Sequence, residues 1–247
     1  MVSNKVIKDF DAAGLPKTRV EVFKDVLKLR FGVFLKIGLI LFLSFIPLIV
    51  LGIFEDSGLA MLYNQYTNGT ILDDVYKANV ASVKIRFSIL KIFSFMIISI
   101  ALAGVVKIIK YLIWAEPVFF KQDLINGINE NSKSFIAISF LFGICNLVTT
   151  FTYYGFDDKI VFSGILTAIK YLIIVPVLLL SLALTVIYKM SFLDKIQNAL
   201  FLFIKTLPLT LLATLFVVIF PLINLVGHLL IKYLILILCV ISMFVFP

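Results

Sequence analysis

The sequence IGLILFLSFIPLIVLGIF, residues 37–54, is a run of eighteen residues without a charge. A helix of about 20 apolar residues crosses the roughly 30 Å hydrocarbon layer of a membrane, so this run predicts a transmembrane helix. Similar runs recur along the 247 residues, which are 62% hydrophobic and only 15% charged, with a mean hydropathy of +1.14. This composition is far more apolar than that of a soluble domain. The sequence therefore predicts an all-α fold, a polytopic transmembrane helical bundle.

About six spans are predicted, and the pattern is also compatible with five or seven. They cover residues 33–54, 88–107, 135–154, 166–188, 206–226 and 229–246. Lys91 and Lys232 lie near the starts of two of these spans, where a lysine stem can reach the headgroups. We expect one transmembrane domain over residues 33–247. Residues 1–32 precede it as a cytoplasmic amphipathic segment that lies at the membrane surface.

The basic residues predict the orientation of the chain. With the amino terminus inside, fifteen of the 22 Lys and Arg residues fall on the cytoplasmic side, which favours a cytoplasmic location for both termini. They flank the apolar runs and form no continuous stripe, so nucleic acid is not expected as a partner. No apolar stretch of signal-peptide type precedes Phe31, and a cleavable signal peptide is not expected. We expect a multi-pass protein of a bacterial cell membrane, with the lipid bilayer as its first partner.

Residues that could carry catalysis or bind a cofactor are few. The chain has two cysteines and one histidine, and it contains no Gly-rich phosphate loop, HExxH motif or Ser-His-Asp arrangement. We therefore expect no enzyme activity, no cofactor and no metal site. Glu55 and Asp56 are assigned to the first outer loop, which leaves no carboxylate well inside a predicted span and argues against a carboxylate proton relay.

Three polar residues, Asn146, Thr149 and Asn224, lie within predicted spans. Such side chains commonly form hydrogen bonds between membrane helices, and lining a substrate path is the alternative role. Prolines inside spans remove backbone donors and can kink a helix, which could open a cavity near the middle of the membrane. These prolines are Pro47, Pro176 and Pro221.

Two predicted inner segments are amphipathic. In the first, Pro117 suits the start of a short helix on the cytoplasmic face, with Phe120, Leu124 and Ile128 on its apolar side. In the second, over residues 189–205, apolar residues would rest on the bilayer and polar residues would face water. The two segments could form one cytoplasmic surface, and a solvated polar face is the alternative to a docking site. The candidate docking residues are Trp114, Glu116, Asp123, Asn131, Lys195 and Asn198.

The order of these features resembles the YesL-like family of bacterial integral membrane proteins. It begins with DFDAAGLP at residues 9–16 and an amphipathic stretch that leads to the span containing Pro47. The inner segment WAEPVFFKQDLINGINEN follows at residues 114–131. YKM at residues 188–190, IQNAL at residues 196–200 and LP at residues 207–208 complete the resemblance. It implies an association with carbohydrate uptake, and hence an accessory role near a sugar importer.

The sequence thus predicts a non-enzymatic accessory or assembly component of a transport system, and subunits of an ABC-type importer are the expected partners. A small transporter or permease subunit that moves a solute between its helices is the alternative. An enzyme acting on lipid ranks third, because clustered acids, histidines and metal ligands are missing from the sequence.

Overall fold

A computed structural model describes residues 31–114, 116–155, 160–188 and 190–208. All regular secondary structure in these ranges is helical. The helices, in chain order, are α1 Phe31–Thr67, α2 Asp73–Ile113, α3 Phe120–Gly155, α4 Ile160–Ile169, a π-helical turn Lys170–Ile174, α5 Val175–Ile187 and α6 Phe192–Lys205. Helix α4, the π-turn and α5 follow one another without a break and form one long helix.

Four helical segments in the described residues are long and apolar enough to cross a membrane. They are Phe31–Thr67, Asp73–Ile113, Phe120–Gly155 and Phe162–Ile187, and they correspond to the first four predicted spans. The two further predicted spans lie outside the described residues, apart from the start of the fifth at residues 206–208. The predicted amphipathic segment at residues 1–32 also lies outside them, except for Phe31 and Gly32, which begin α1.

The first three long helices extend well beyond the predicted spans. Helix α1 continues thirteen residues past Phe54, and α2 begins fifteen residues before the predicted start at residue 88. The prediction of a separate short helix after Pro117 is wrong, because α3 runs without interruption from Phe120 to Gly155. At 1.5 Å per residue, each of these helices is about 54 Å long or more, against roughly 30 Å of hydrocarbon. Hydropathy located the apolar part of each helix and missed its polar ends.

The connections define two ends of the bundle. At the Asn68 end, α1 and α2 are joined by a tight turn in which Gly69 has φ 70°, a conformation that glycine adopts without steric cost. Tyr66 and Tyr76 stack across this turn with ring centroids 4.7 Å apart. At the opposite end, the Trp114 end, α2 connects to α3 and α5 connects to α6. The start of α3 is held there by Asp123, whose carboxylate accepts a hydrogen bond from the Phe119 N–H at 2.7 Å.

Helices α2 and α3 are antiparallel and are in close backbone contact at Gly104 and Gly127. A Cβ added to Gly127 would lie 2.8 Å from the Gly104 Cα and 3.0 Å from the Ala103 carbonyl oxygen. A Cβ on Gly104 would lie 2.8 Å from the Leu124 carbonyl oxygen. Small residues allow such backbone contact between membrane helices, where dispersion replaces the hydrophobic effect as the main attraction.

Apolar residues of α1, α2, α3 and α5 form the main core. Its largest fully buried side chains include Ile37 and Leu41 of α1, Ile108 of α2 and Phe135 of α3. A second cluster joins α5 to α6, with Ala199 and Phe203 packed against Val177 and Leu184. The short helix α6 therefore packs against the bundle with one of its faces.

The π-turn precedes Pro176, which lacks a backbone N–H and cannot continue an α-helical ladder without strain. In the turn, the Val175 N–H donates to the Lys170 carbonyl oxygen, five residues back. This widened turn orients Lys170 toward α3. Turns of this kind are frequent at functional sites.

Replacement of Gly127 by alanine is expected to destabilise the bundle, because the added methyl group would meet the backbone of α2. Overpacking of this kind costs about 1 to 3 kcal/mol. Gly38→Ala in α1 is the matched control, since a Cβ there has open space and a helical alanine is favoured over glycine. Thermal unfolding of the purified variants in one detergent would test this, and an equal effect of the two substitutions would contradict it.

Candidate functional site

A layer of polar side chains crosses four helical segments on the Asn68 side of the bundle. We call it the polar layer and define it by its members, which are Glu55 of α1, Lys84, Ser88 and Lys91 of α2, Asn146, Thr149 and Thr150 of α3, and Lys170 of the π-turn. Ionisable groups within membrane helices are costly and are functional-site candidates for that reason. The layer is therefore the candidate site.

Glu55 is the acidic member of the layer, with an exposed fraction of only 4%. Its Oε1 lies 2.8 Å from the Lys84 Nζ, and its Oε2 accepts a hydrogen bond from the Lys91 Nζ. Lys84 and Lys91 lie seven residues apart, which places them on one face of α2 two turns apart. One carboxylate thus bridges two ammonium groups and fixes α1 against α2.

Hydroxyl groups connect α2 to α3 next to this ion pair. Ser88, one turn from Lys84, donates to the Thr150 Oγ1 at 3.0 Å. Thr150 in turn donates to the Asn146 carbonyl oxygen at 2.9 Å. These bonds connect the region of the Glu55 ion pair to Asn146, which in turn contacts Lys170.

Lys170 is the member of the polar layer on the π-turn, and it is 6% exposed. Its Nζ donates to the Asn146 Oδ1 and to the Thr149 Oγ1, both at 3.2 Å. The Tyr171 ring lies against the same ammonium group, with its centroid 4.5 Å away. All of these partners are neutral, in contrast to the carboxylate that binds Lys84 and Lys91.

Two of the three predicted intramembrane polar residues belong to the layer. Asn146 and Thr149 form hydrogen bonds across helices to Lys170, and Asn224 lies outside the described residues. The assignment of Glu55 to an outer loop is wrong, because α1 continues through it and its side chain is buried against α2. An acid directly after an apolar run, opposite two lysines spaced by seven, is the sequence signal that could have indicated the pair.

The candidate docking residues at the Trp114 end have different surroundings. Trp114 is 53% exposed, and the Lys110 ammonium group lies over its ring, 4.4 Å from the centroid. Glu116 is half-buried, and its N–H donates to the Tyr111 carbonyl oxygen at 2.9 Å. Asn198 is exposed on α6.

Asp123 and Asn131 were expected to face water or a partner, but they are buried, with exposed fractions of 9% and 8%. Asp123 accepts the Phe119 N–H, and Asn131 donates to the Gly127 carbonyl oxygen at 3.2 Å. Both side chains therefore stabilise α3 itself. They are buried because α3 packs closely on α2 at Gly127, which turns this part of the helix toward its neighbour.

Lys195, which was expected on the exposed polar face of its segment as a candidate docking residue, is also buried. It is 7% exposed and donates to the Ser134 Oγ at 3.0 Å, which links α6 to α3. Burial lowers the pKa of Lys195 from its ordinary value. Phe203 packs on α5, while Leu193, Leu200, Phe201 and Ile204 form the exposed apolar face of α6.

The described residues hold no group of three or more His, Cys, Asp or Glu side chains that could bind a metal ion. Comparison with protein-family models, with curated proteins and with solved structures finds no match to the chain. The resemblance to the YesL-like family, the absence of enzyme activity and the absence of a cofactor all stay predictions.

Replacement of Glu55 by glutamine is expected to destabilise the bundle, because it removes the negative charge shared by Lys84 and Lys91. Breaking a buried pair costs roughly 3 to 5 kcal/mol, and we expect about 2 to 3 kcal/mol here because the two lysines are a quarter exposed. The control is Asp73→Asn, which breaks the exposed Lys77–Asp73 pair and should cost about 0 to 1 kcal/mol. Thermal or denaturant unfolding in detergent measures both, and a Glu55→Gln variant as stable as the control would contradict the assignment.

Proposed function

We propose that this protein is a multi-pass component of a bacterial cell membrane and acts as an accessory or assembly subunit of a transport system. Four apolar helices long enough to span a membrane are compatible with this location. The two further spans predicted from the sequence, together with cytoplasmic termini, complete the proposed topology. In this orientation the Trp114 end faces the cytoplasm.

The observation that carries the proposal is that α6, at the Trp114 end, is buried on one face and exposes large apolar side chains on the other. One face, with Lys195, Ala199 and Phe203, is buried against the bundle. The other presents large apolar side chains, among them Phe201 and Ile204. A helix that is fastened on one side and apolar on the other supports association with the bilayer boundary or with a second membrane protein.

The resemblance to the YesL-like family supports the choice of partner. The family's association with carbohydrate uptake favours subunits of a sugar importer of ABC type. The partner would contact the exposed Trp114, Asn198 and the outer face of α6.

Purification from native membranes in mild detergent is expected to recover an importer subunit, identified by mass spectrometry. The double variant Phe201→Ser/Ile204→Ser should reduce this recovery, because it removes apolar surface from the outer face of α6. Leu72→Ser, at a still more exposed apolar site at the Asn68 end, is the control and should leave recovery unchanged. Repeated recovery of the protein alone at native expression would refute the accessory role.

A second candidate function, a small transporter or permease subunit, is favoured by the polar layer. Buried ionisable groups inside membrane helices commonly mark solute and ion paths. The layer combines such groups with a π-turn and Pro176 in the same helix.

Purified protein in liposomes would then move a sugar or a small ion, and Asn146→Leu should change the rate because it removes a polar side chain from the layer. Asn198→Leu on the exposed face of α6 should leave the rate unchanged. Liposomes that take up none of the tested solutes faster than protein-free liposomes would exclude these solutes and favour the accessory role.

A further inference from the structure

Lys170 is a buried cation whose hydrogen-bond and ring partners in the described residues, Asn146, Thr149 and Tyr171, are neutral. The thiol of Cys145 is a further neighbour. The Lys170 ammonium group has three N–H donors, and the bonds to Asn146 and Thr149 use two of them. Buried charges in proteins are paired with an opposite charge, because transfer of a lone ion from water to an apolar environment is very costly. A charged Lys170 therefore needs an anion close to its ammonium group to offset its charge.

The position of Lys170 makes direct contact with water difficult. It lies about 12 Å along the helix axis from Phe162, where the apolar segment begins. A lysine near a helix end can extend its stem to the membrane surface. The Nζ of Lys170 points instead across to α3, where Asn146 and Thr149 hold it.

The other charged members of the polar layer provide no spare counter-charge. Both carboxylate oxygens of Glu55 are occupied, one by Lys84 and one by Lys91. In the part of the chain that the structure describes, the layer thus holds three lysines and one acid. Its charge is positive when all of these groups are ionised.

We propose that Lys170, Asn146 and Thr149 form the protein side of a binding site for a small monovalent anion, a halide or a short carboxylate. The third N–H of Lys170 donates to the anion, and the amide nitrogen of Asn146 provides a further donor on the neighbouring helix. Of the three side chains, Asn146 is the one that is only half-buried. The site is small because Thr149 is 8% exposed and the Tyr171 ring covers the ammonium group. This proposal depends on neither function proposed above.

The test is the thermal stability of the purified full-length protein in detergent as chloride replaces gluconate at constant ionic strength. A ligand that binds only the folded state raises the unfolding temperature, on the order of 5 °C at 100 times its Kd. We expect a saturable rise with chloride or with acetate, and comparison of the two distinguishes a halide from a carboxylate. Broadening of the ³⁵Cl NMR signal by the protein would report chloride binding directly.

Lys170→Met is expected to abolish the anion dependence. Lys195→Met is the matched control, since Lys195 is equally buried and also donates to a hydroxyl group, but lies in α6 at the other end of the bundle. If Lys170→Met does not fold, Asn146→Asp provides a second test. A carboxylate at this position would neutralise Lys170 internally, so this variant should be more stable in gluconate than the unchanged protein and should no longer respond to chloride.

Anion dependence that persists in Lys170→Met would overturn the proposal, as would an unchanged protein whose stability is the same in chloride, acetate and gluconate. In the latter case, the double variant Asp157→Asn/Asp158→Asn identifies the reason. If it becomes anion-dependent, an aspartate of the connection between α3 and α4 serves as the counter-ion. If neither this variant nor Cys145→Ser becomes anion-dependent, Lys170 is held uncharged.

Discussion

Backbone contact between α2 and α3 at Gly104 and Gly127 is the constraint on which the rest of the bundle depends. These two helices pack along most of their length, α1 packs on α2, and α5 packs on both. In a membrane, attraction between helices comes mainly from close packing and from hydrogen bonds, since lipid tails are as apolar as leucine. The glycines allow the close packing, and the polar layer provides hydrogen bonds between helices. A side chain at either glycine would meet the backbone of the neighbouring helix.

The polar layer illustrates two ways in which a membrane bundle accommodates lysine. Lys84 and Lys91 share one carboxylate, so that their charges are largely offset within the protein. Lys170 has amide, hydroxyl, thiol and aromatic neighbours among the described residues and no carboxylate. The first arrangement suits a permanent link between α1 and α2. In the second arrangement the charge state of Lys170 can change, because a neutral neighbour does not fix the charge state of a lysine.

The apolar run at residues 37–54 was sufficient to predict membrane helices, since backbone groups in hydrocarbon must find their partners within the helix. The ends of the helices could not be predicted in the same way. Residues 55–67 are polar enough to be assigned to a loop, and residues 120–134 to a separate short helix. Both belong to long helices because a neighbouring helix packs beside them. The same limit applies to single residues. Asn146 and Thr149 were identified from their position in a span, whereas the burial of Glu55, Asp123 and Lys195 depends on which helix lies opposite, and sequence periodicity contains no such information.

The length of α1 and α2 has a practical consequence. From Glu55 to Thr67, α1 rises about 18 Å beyond the apolar run, with α2 beside it and the Tyr66–Tyr76 stack closing the tip. Both helices continue without a break into the main bundle, so this hairpin is a stiff stalk whose orientation is coupled to that of the membrane helices. A small folded domain inserted between Asn68 and Thr70 would inherit that orientation. The turn is thus a natural attachment point for a rigid marker in electron cryo-microscopy of a membrane protein that is otherwise too small to align well.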